Sequence, residues 1–118
     1  MLAEFNTMTI WRLEASGPAV GTGASASDLI GELYGQSVEV ILIPVWRLDP
    51  EFFRLQSGLA GEFIQKLQNY GFRVAIVGDI SVFAAGSALR DFVAESNRRG
   101  EHVFARDEAE LAALLRPR

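Results

Sequence analysis

The stretch Leu48–Ser81 constrains this chain more than any other, because a helical pattern runs straight into a buried-strand pattern with no spare loop. Asp49 is a good N-cap, Pro50 suits the first helical position, and Glu51 sits where the helix dipole favours negative charge. Further on, Leu59, Phe63, Leu67 and Tyr70 recur at steps of four, four and three, and Ala60 and Ile64 widen that face. Glu62, Gln65, Lys66, Gln68 and Asn69 fall between them, which is the period of an amphipathic helix. Gly71 is a natural terminator.

A single helix from Pro50 to Tyr70 would run ~31 Å at ~1.5 Å per residue. That overshoots a neighbouring strand of about six residues, ~20 Å. Ser57-Gly58 offers a break, since glycine costs ~1 kcal/mol in a helix interior and serine prefers a cap. The expectation is a short helical turn near Pro50–Leu55, then a main helix from near Ser57. The alternative is one continuous helix with Gly58 and Gly61 allowing close backbone packing. Phe72–Gly78 is a short apolar run with β-branched residues, ended by Gly78-Asp79, and suits a central strand of a parallel sheet. A strand directly after a helix implies a right-handed βαβ crossover from Val38–Val45.

The other segments fall around that unit. Met8–Ala15 reads as a first strand, with an edge position open to it, broken by Ser16-Gly17-Pro18. Ala19–Gly23 is a second short strand or a loop. Its glycines, Gly17, Gly21 and Gly23, match neither the dinucleotide fingerprint nor the P-loop. Ser25 or Ser27 caps a helix through Tyr34 that Gly35 ends, with Leu29, Ile30 and Leu33 inward. Ser37–Trp46 is the most hydrophobic strand, and Pro44 belongs near its end, at a bulge or at an edge. After the small-residue loop Ile80–Gly86, Ser87 caps a helix with Leu89, Phe92 and Val93 inward, and Arg98 and Arg99 suit its C-terminal dipole. His102–Ala105 is a short last strand. Asp107 then caps a final helix that packs through Leu111, Leu114 and Leu115. The order β(β)αβαβαβα specifies an α/β fold with a mostly parallel sheet of four or five strands, and one domain over residues 1–118.

Composition narrows the function classes. With 49% hydrophobic and 22% charged residues, the chain has material for a core. Net charge is −4 and no basic cluster exceeds Arg98-Arg99, so nucleic acid and anionic membrane are poor partners. The absence of cysteine excludes disulfides, thiolate chemistry and Cys-ligated zinc. No apolar run reaches transmembrane length and MLAEFNTM lacks the features of a signal peptide, which points to a cytoplasmic protein.

The element order, with Val38–Leu48, Ser57-Gly58-Leu59, Gly71 and Val74–Asp79, resembles the STAS domain, a family that includes the anti-sigma-factor antagonists. That resemblance implies a regulatory protein-binding module phosphorylated at the serine before the glycine, here Ser57. The STAS motif has Asp-Ser-Ser-Gly-Leu-Gly; this chain has Leu55-Gln56-Ser57-Gly58-Leu59-Ala60, so the usual Asp is Leu55 and the neighbouring Ser is Gln56. The chain is more closely similar to an uncharacterised bacterial family, domain of unknown function 4180. The similarity is densest at Phe52-Phe53, Ser57–Glu62, Gln65-Lys66, Asn69-Tyr70, Ala75–Asp79, Leu89–Phe92 and Glu95–Asn97. It implies the same fold and a bacterial cytoplasmic setting, and it supplies no activity to carry over.

In open α/β sheets, ligands bind beyond the carboxyl ends of the parallel strands. That edge should gather Trp46, Arg47, Asp49, Ser57, Asp79, Ser81 and Arg106. Ser57 there is a phosphate acceptor or anion contact, or simply a cap. Asp79 is a polar contact or acid/base group, or a turn residue. His102, the only histidine, has no visible partner for catalysis or metal binding. Glu62 and Lys66 form a helix-supporting i,i+4 pair. No nucleophile–base pair, metal spacing or cofactor motif is present. Three readings follow: a STAS-like regulatory or protein-interaction module switched at Ser57, a small-ligand-binding protein or enzyme using the strand-end edge through Asp79 and Arg106, and a homodimeric accessory protein. Exposed Trp46, Phe52 or Phe53 would favour the third.

Overall fold

Val40–Pro44 (β3) and Arg73–Val77 (β4) lie parallel and in register, Val40 beside Arg73 and Pro44 beside Val77, in a computed structural model that describes residues 1–83 and 86–118. The link between them is the helix Leu59–Asn69 (α2), as the pattern of Leu48–Ser81 requires. Its end is closed by Gly71 at φ +86°. There the N–H of Phe72 reaches Leu67 O (3.1 Å) and that of Gly71 reaches Gln68 O (2.9 Å), the paired bonds of a Schellman cap.

Its start is broken where Ser57-Gly58 suggested. Three 3-10 turns, Val45–Arg47, Pro50–Phe53 and Leu55–Ser57, step from β3 to α2. Asp49 caps the second, accepting from Glu51 N–H at 2.9 Å. Gly58, at φ +77°, takes the N-cap position of α2, so that helix begins two residues after Ser57. The continuous helix is thereby excluded.

Five strands form the sheet in the order β1-β2-β3-β4-β5, with Leu2–Phe5 as β1, Met8–Arg12 as β2 and Val103–Ala105 as β5. β2 to β5 are parallel, and β1 is antiparallel to β2. The extra strand thus precedes the first predicted one rather than following it. A tight turn at Asn6-Thr7, both at positive φ, makes the hairpin and moves β2 off the edge. Ala19–Thr22 is a loop with a single parallel bridge between Val20 and Leu48, and Gly23 already belongs to the helix that follows.

One face of the sheet is covered by α1 (Gly23–Leu33), α2 and α3 (Gly86–Arg99). Their Ala26, Leu29, Leu33, Phe63, Leu67 and Leu89 pack on Ile41, Ile43, Val74, Ile76 and Phe104. Strand residues of opposite parity, Val40, Leu42, Ala75, Val103 and Ala105, meet Leu111 and Leu115 at the end of α4 (Glu108–Leu114) on the other face. Asp107 caps α4 as expected, accepting from Glu110 N–H at 2.9 Å.

Other helix starts depart from the reading. Thr22, not Ser25 or Ser27, caps α1; Ser25 supplies the reciprocal half of a capping box. α3 opens at Gly86, which puts Ser87 inside its first turn. The expected loop Ile80–Gly86 begins as a 3-10 turn, Ile80–Phe83, and its Ala84 and Ala85 lie outside the described residues. Among the described residues Glu62 and Lys66 form no ion pair; Glu62 instead fills the space where Gly23, the first residue of α1, would carry a Cβ. No described helix is long and apolar enough to cross a membrane.

Candidate functional site

Of the residues expected at the carboxyl rim, Asp49, Ser57, Asp79, Ser81 and Arg106 each have a local bond. Asp49 caps its turn. The exposed Ser57 hydroxyl donates toward the carbonyls of Glu51 (2.8 Å) and Arg54 (2.7 Å) and accepts from Leu59 N–H (3.2 Å). Asp79 accepts from Ser81 N–H at 2.9 Å, and hydrogen bonding from Ser81 lowers its carboxyl below the ordinary range, helped slightly by Arg106. Arg106 itself pairs with Glu110 at 3.1 Å. The structure therefore brings Asp79 to Ser81 and within electrostatic reach of Arg106.

The parallel strands of the sheet have no topological switch point. A strand-end crevice opens where strand order reverses and successive crossovers leave in opposite directions. Here the order follows the chain from one edge to the other, and the three crossover helices share a face.

One of the rim residues is structural. Arg47 is 9% exposed, and its guanidinium donates to the carbonyls of Pro18 (3.1 Å), Glu14 (2.7 Å) and Ser16 (3.3 Å), which holds the loop after β2. Trp46 stands 61% exposed beside it, whereas Phe52 and Phe53 are buried in an edge-to-face cluster with Phe63. Of the aromatic trio that would favour a homodimer, only Trp46 faces outward.

An opening among the described residues lies on the helical face. α1 packs along α2, but between α2 and α3 runs a cleft of about 690 Å³. Gly61, Ile64 and Gln68 form one wall and Ala88, Phe92, Glu95 and Arg99 the other, each at helical spacing. Phe92 stacks edge-on against Phe104 of β5, which gives the cleft an apolar floor. Asp91 stands on the α3 wall with no ion-pair partner among the described residues. Gly61 costs helix stability, yet a Cβ there would meet nothing within 4 Å, so packing inside this chain does not require it.

His102 closes the far end of the cleft. Its Nδ1 accepts from Val74 N–H at 3.0 Å, so its proton is on Nε2, which faces Gln68 Oε1 at 2.8 Å. Burial lowers its pKa from the usual 6.5; Glu101 opposes that shift, and Arg73 and Arg118 add to it. Both ring nitrogens are thus engaged in joining β4, α2 and the segment before β5. Among the described residues no three His, Cys, Asp or Glu side chains converge as a metal cluster.

Sequence reasoning passed over the partners of Arg73. This residue is 4% exposed and donates to the carbonyls of Gly100 (2.7 Å), Glu101 (3.0 Å) and Arg116 (2.6 Å). The available signal was a lone cation inside an apolar strand run, since buried charge needs dedicated partners.

A family model described as Domain of unknown function (DUF4180) matches residues 5–115, and the chain belongs to that family. No curated protein and no solved structure matches it significantly.

Proposed function

We propose that this member of the DUF4180 family is a one-domain regulatory module of the STAS kind, which receives a helix of a partner protein between α2 and α3 and is controlled at Ser57. The α2–α3 cleft carries the reading. Two helical walls with an apolar floor leave the groove that a third helix fills. Apolar anchors of the partner would cover Ile64 and Phe92, a cation would face Asp91, and Gly61 would let its backbone approach closely. The two engaged nitrogens of His102 favour binding over proton transfer at this end of the cleft.

Ser57 lies four residues before Gly61, which lines the cleft, and it is exposed. A phosphate there would sit at the positive end of α2, replace the hydroxyl's bonds to Glu51 and Arg54, and add about two negative charges beside the docking groove. The STAS resemblance supports the same position.

The test is a photo-crosslinking amino acid placed at Gln65 in cells of the source organism, with a second probe at the exposed Tyr34 as control. The reading expects one discrete adduct from position 65, with crosslinked residues of the partner on a helix, and its loss when Ser57 is phosphorylated. Adducts of equal pattern from both positions, or none from position 65, would overturn it.

A further inference from the structure

At the amino ends of β4 and β5 the fold assembles a charge cluster that no run of sequence displays. Arg73, Arg98, Arg99, Arg116 and Arg118 line one cleft of about 400 Å³ with Glu101. Five of the eleven lysines and arginines, in a chain of net charge −4, thus face a single concavity.

Neutralisation within the chain is partial. Glu95 pairs with Arg98 at 2.6 Å and with Arg99 at 3.1 Å. Glu101 pairs with Arg118 and stands 3.9 Å from Arg73 Nε. Arg116 has only a long bond, 3.4 Å, from Nε to the carbonyl of Ala113, and no carboxylate partner among the described residues. The C-termini of α3 and α4 contribute roughly half a negative charge each, which still leaves a surplus of positive charge. Dipole compensation accounts for Arg98 and Arg99 at the last turn of α3 and for Arg116 beside the end of α4, but not for Arg118 arriving from the other side of the cleft. The walls are also held in place: buried Arg73 ties Gly100 and Glu101 to Arg116 through their carbonyls.

We propose that this cleft binds a small oxyanion of multiple charge, a phosphate-bearing molecule whose oxygens are gripped by the forks of Arg98, Arg116 and their neighbours. Guanidinium groups bind phosphate oxygens in pairs, and charge-assisted bonds of this kind are the strong ones. The cleft has the volume of a small-ligand site. An extended polyanion would also meet the net negative remainder of the chain, which opposes it. The proposal does not rest on the helix-docking reading, and its readout is separate.

The experiment titrates the full chain with inorganic pyrophosphate, followed by calorimetry and by amide NMR shifts, with sodium chloride at matched ionic strength and a single-stranded oligonucleotide as comparison arms. The expected result is one saturable site with shifts centred on Gly100, Glu101 and Arg116. Affinity should fall about tenfold or more in Arg98→Ala/Arg116→Ala, which removes exposed side chains and leaves Arg73 and the unliganded melting temperature in place. Shifts no different from those with chloride, or equal affinity in the variant, would overturn the site. Tighter binding of the oligonucleotide than of pyrophosphate would overturn the ligand class.

Discussion

The Nδ1 atom of His102 accepts a hydrogen bond from the main-chain N–H of Val74 at 3.0 Å, and a protonated ring has no lone pair to offer there. Burial lowers the imidazole below 6.5, so folding favours the neutral ring. That contribution is complete above the unfolded value, about 6.5, and is lost as pH falls from there through the folded value. Urea midpoints measured at about pH 7.5 and pH 5.5 should therefore fall further for the native chain than for His102→Gln. Parallel falls would remove His102 as the cause.

Gly78 and Val45 give a second prediction. Gly78 has φ +141°, and a Cβ on it would lie 2.5 Å from Val45 Cγ1 and 2.9 Å from Val45 Cβ, a side chain that is itself buried. Gly78→Ala should cost about 2–4 kcal/mol by chemical denaturation, from strain and overpacking together. Gly35→Ala, at φ +83° with nothing within 4 Å, should cost only about 1 kcal/mol. Equal losses would show that Val45 yields freely.

Arg73→Met should cost about 3 kcal/mol, because the part-buried carbonyls of Gly100, Glu101 and Arg116 lose their donor. Hydrogen exchange should accelerate first in the segment after α4 and in the turn between α3 and β5. Uniform acceleration across the sheet would place the role of Arg73 elsewhere.

Ser57→Ala removes a hydroxyl that joins two 3-10 turns to the start of α2. A loss of about 1 kcal/mol is expected, the usual cost of deleting a capping side chain. On the proposed function, the crosslink from position 65 persists in this variant, because phosphate rather than the bare hydroxyl changes docking. A crosslink lost in Ser57→Ala at unchanged stability would contradict that.

Much of the architecture is written in local pattern. The switch from helical to strand period around Gly71 places β3, α2 and β4, because burying those faces leaves few other arrangements. Asp107 and Asp49 cap their turns for reasons held within a few residues. The N-terminal hairpin was not legible: Leu2–Phe5 is short and half exposed, and Asn6-Thr7 lacks the glycine that announces such a turn. The cap of α1 falls at Thr22, which bonds reciprocally with Ser25, and Gly23 after it leaves room for Glu62, a residue far along the chain.

The candidate sites belong to tertiary structure. Sequence placed Asp49, Ser57, Asp79, Ser81 and Arg106 on one rim, and each has a local hydrogen bond or ion pair of the kind its neighbours in the chain suggest. The α2–α3 cleft depends on how far apart two helices settle on the sheet, which packing on Ile76 and Phe104 decides. Arg73, Arg98, Arg99, Arg116 and Arg118 are scattered through the chain, and only the parallel return of β4 beside β5, with α4 crossing behind, brings them to one pole. Local sequence determines which elements form, through propensity and period. Which charges then meet is decided by the register and crossing of elements distant in the chain.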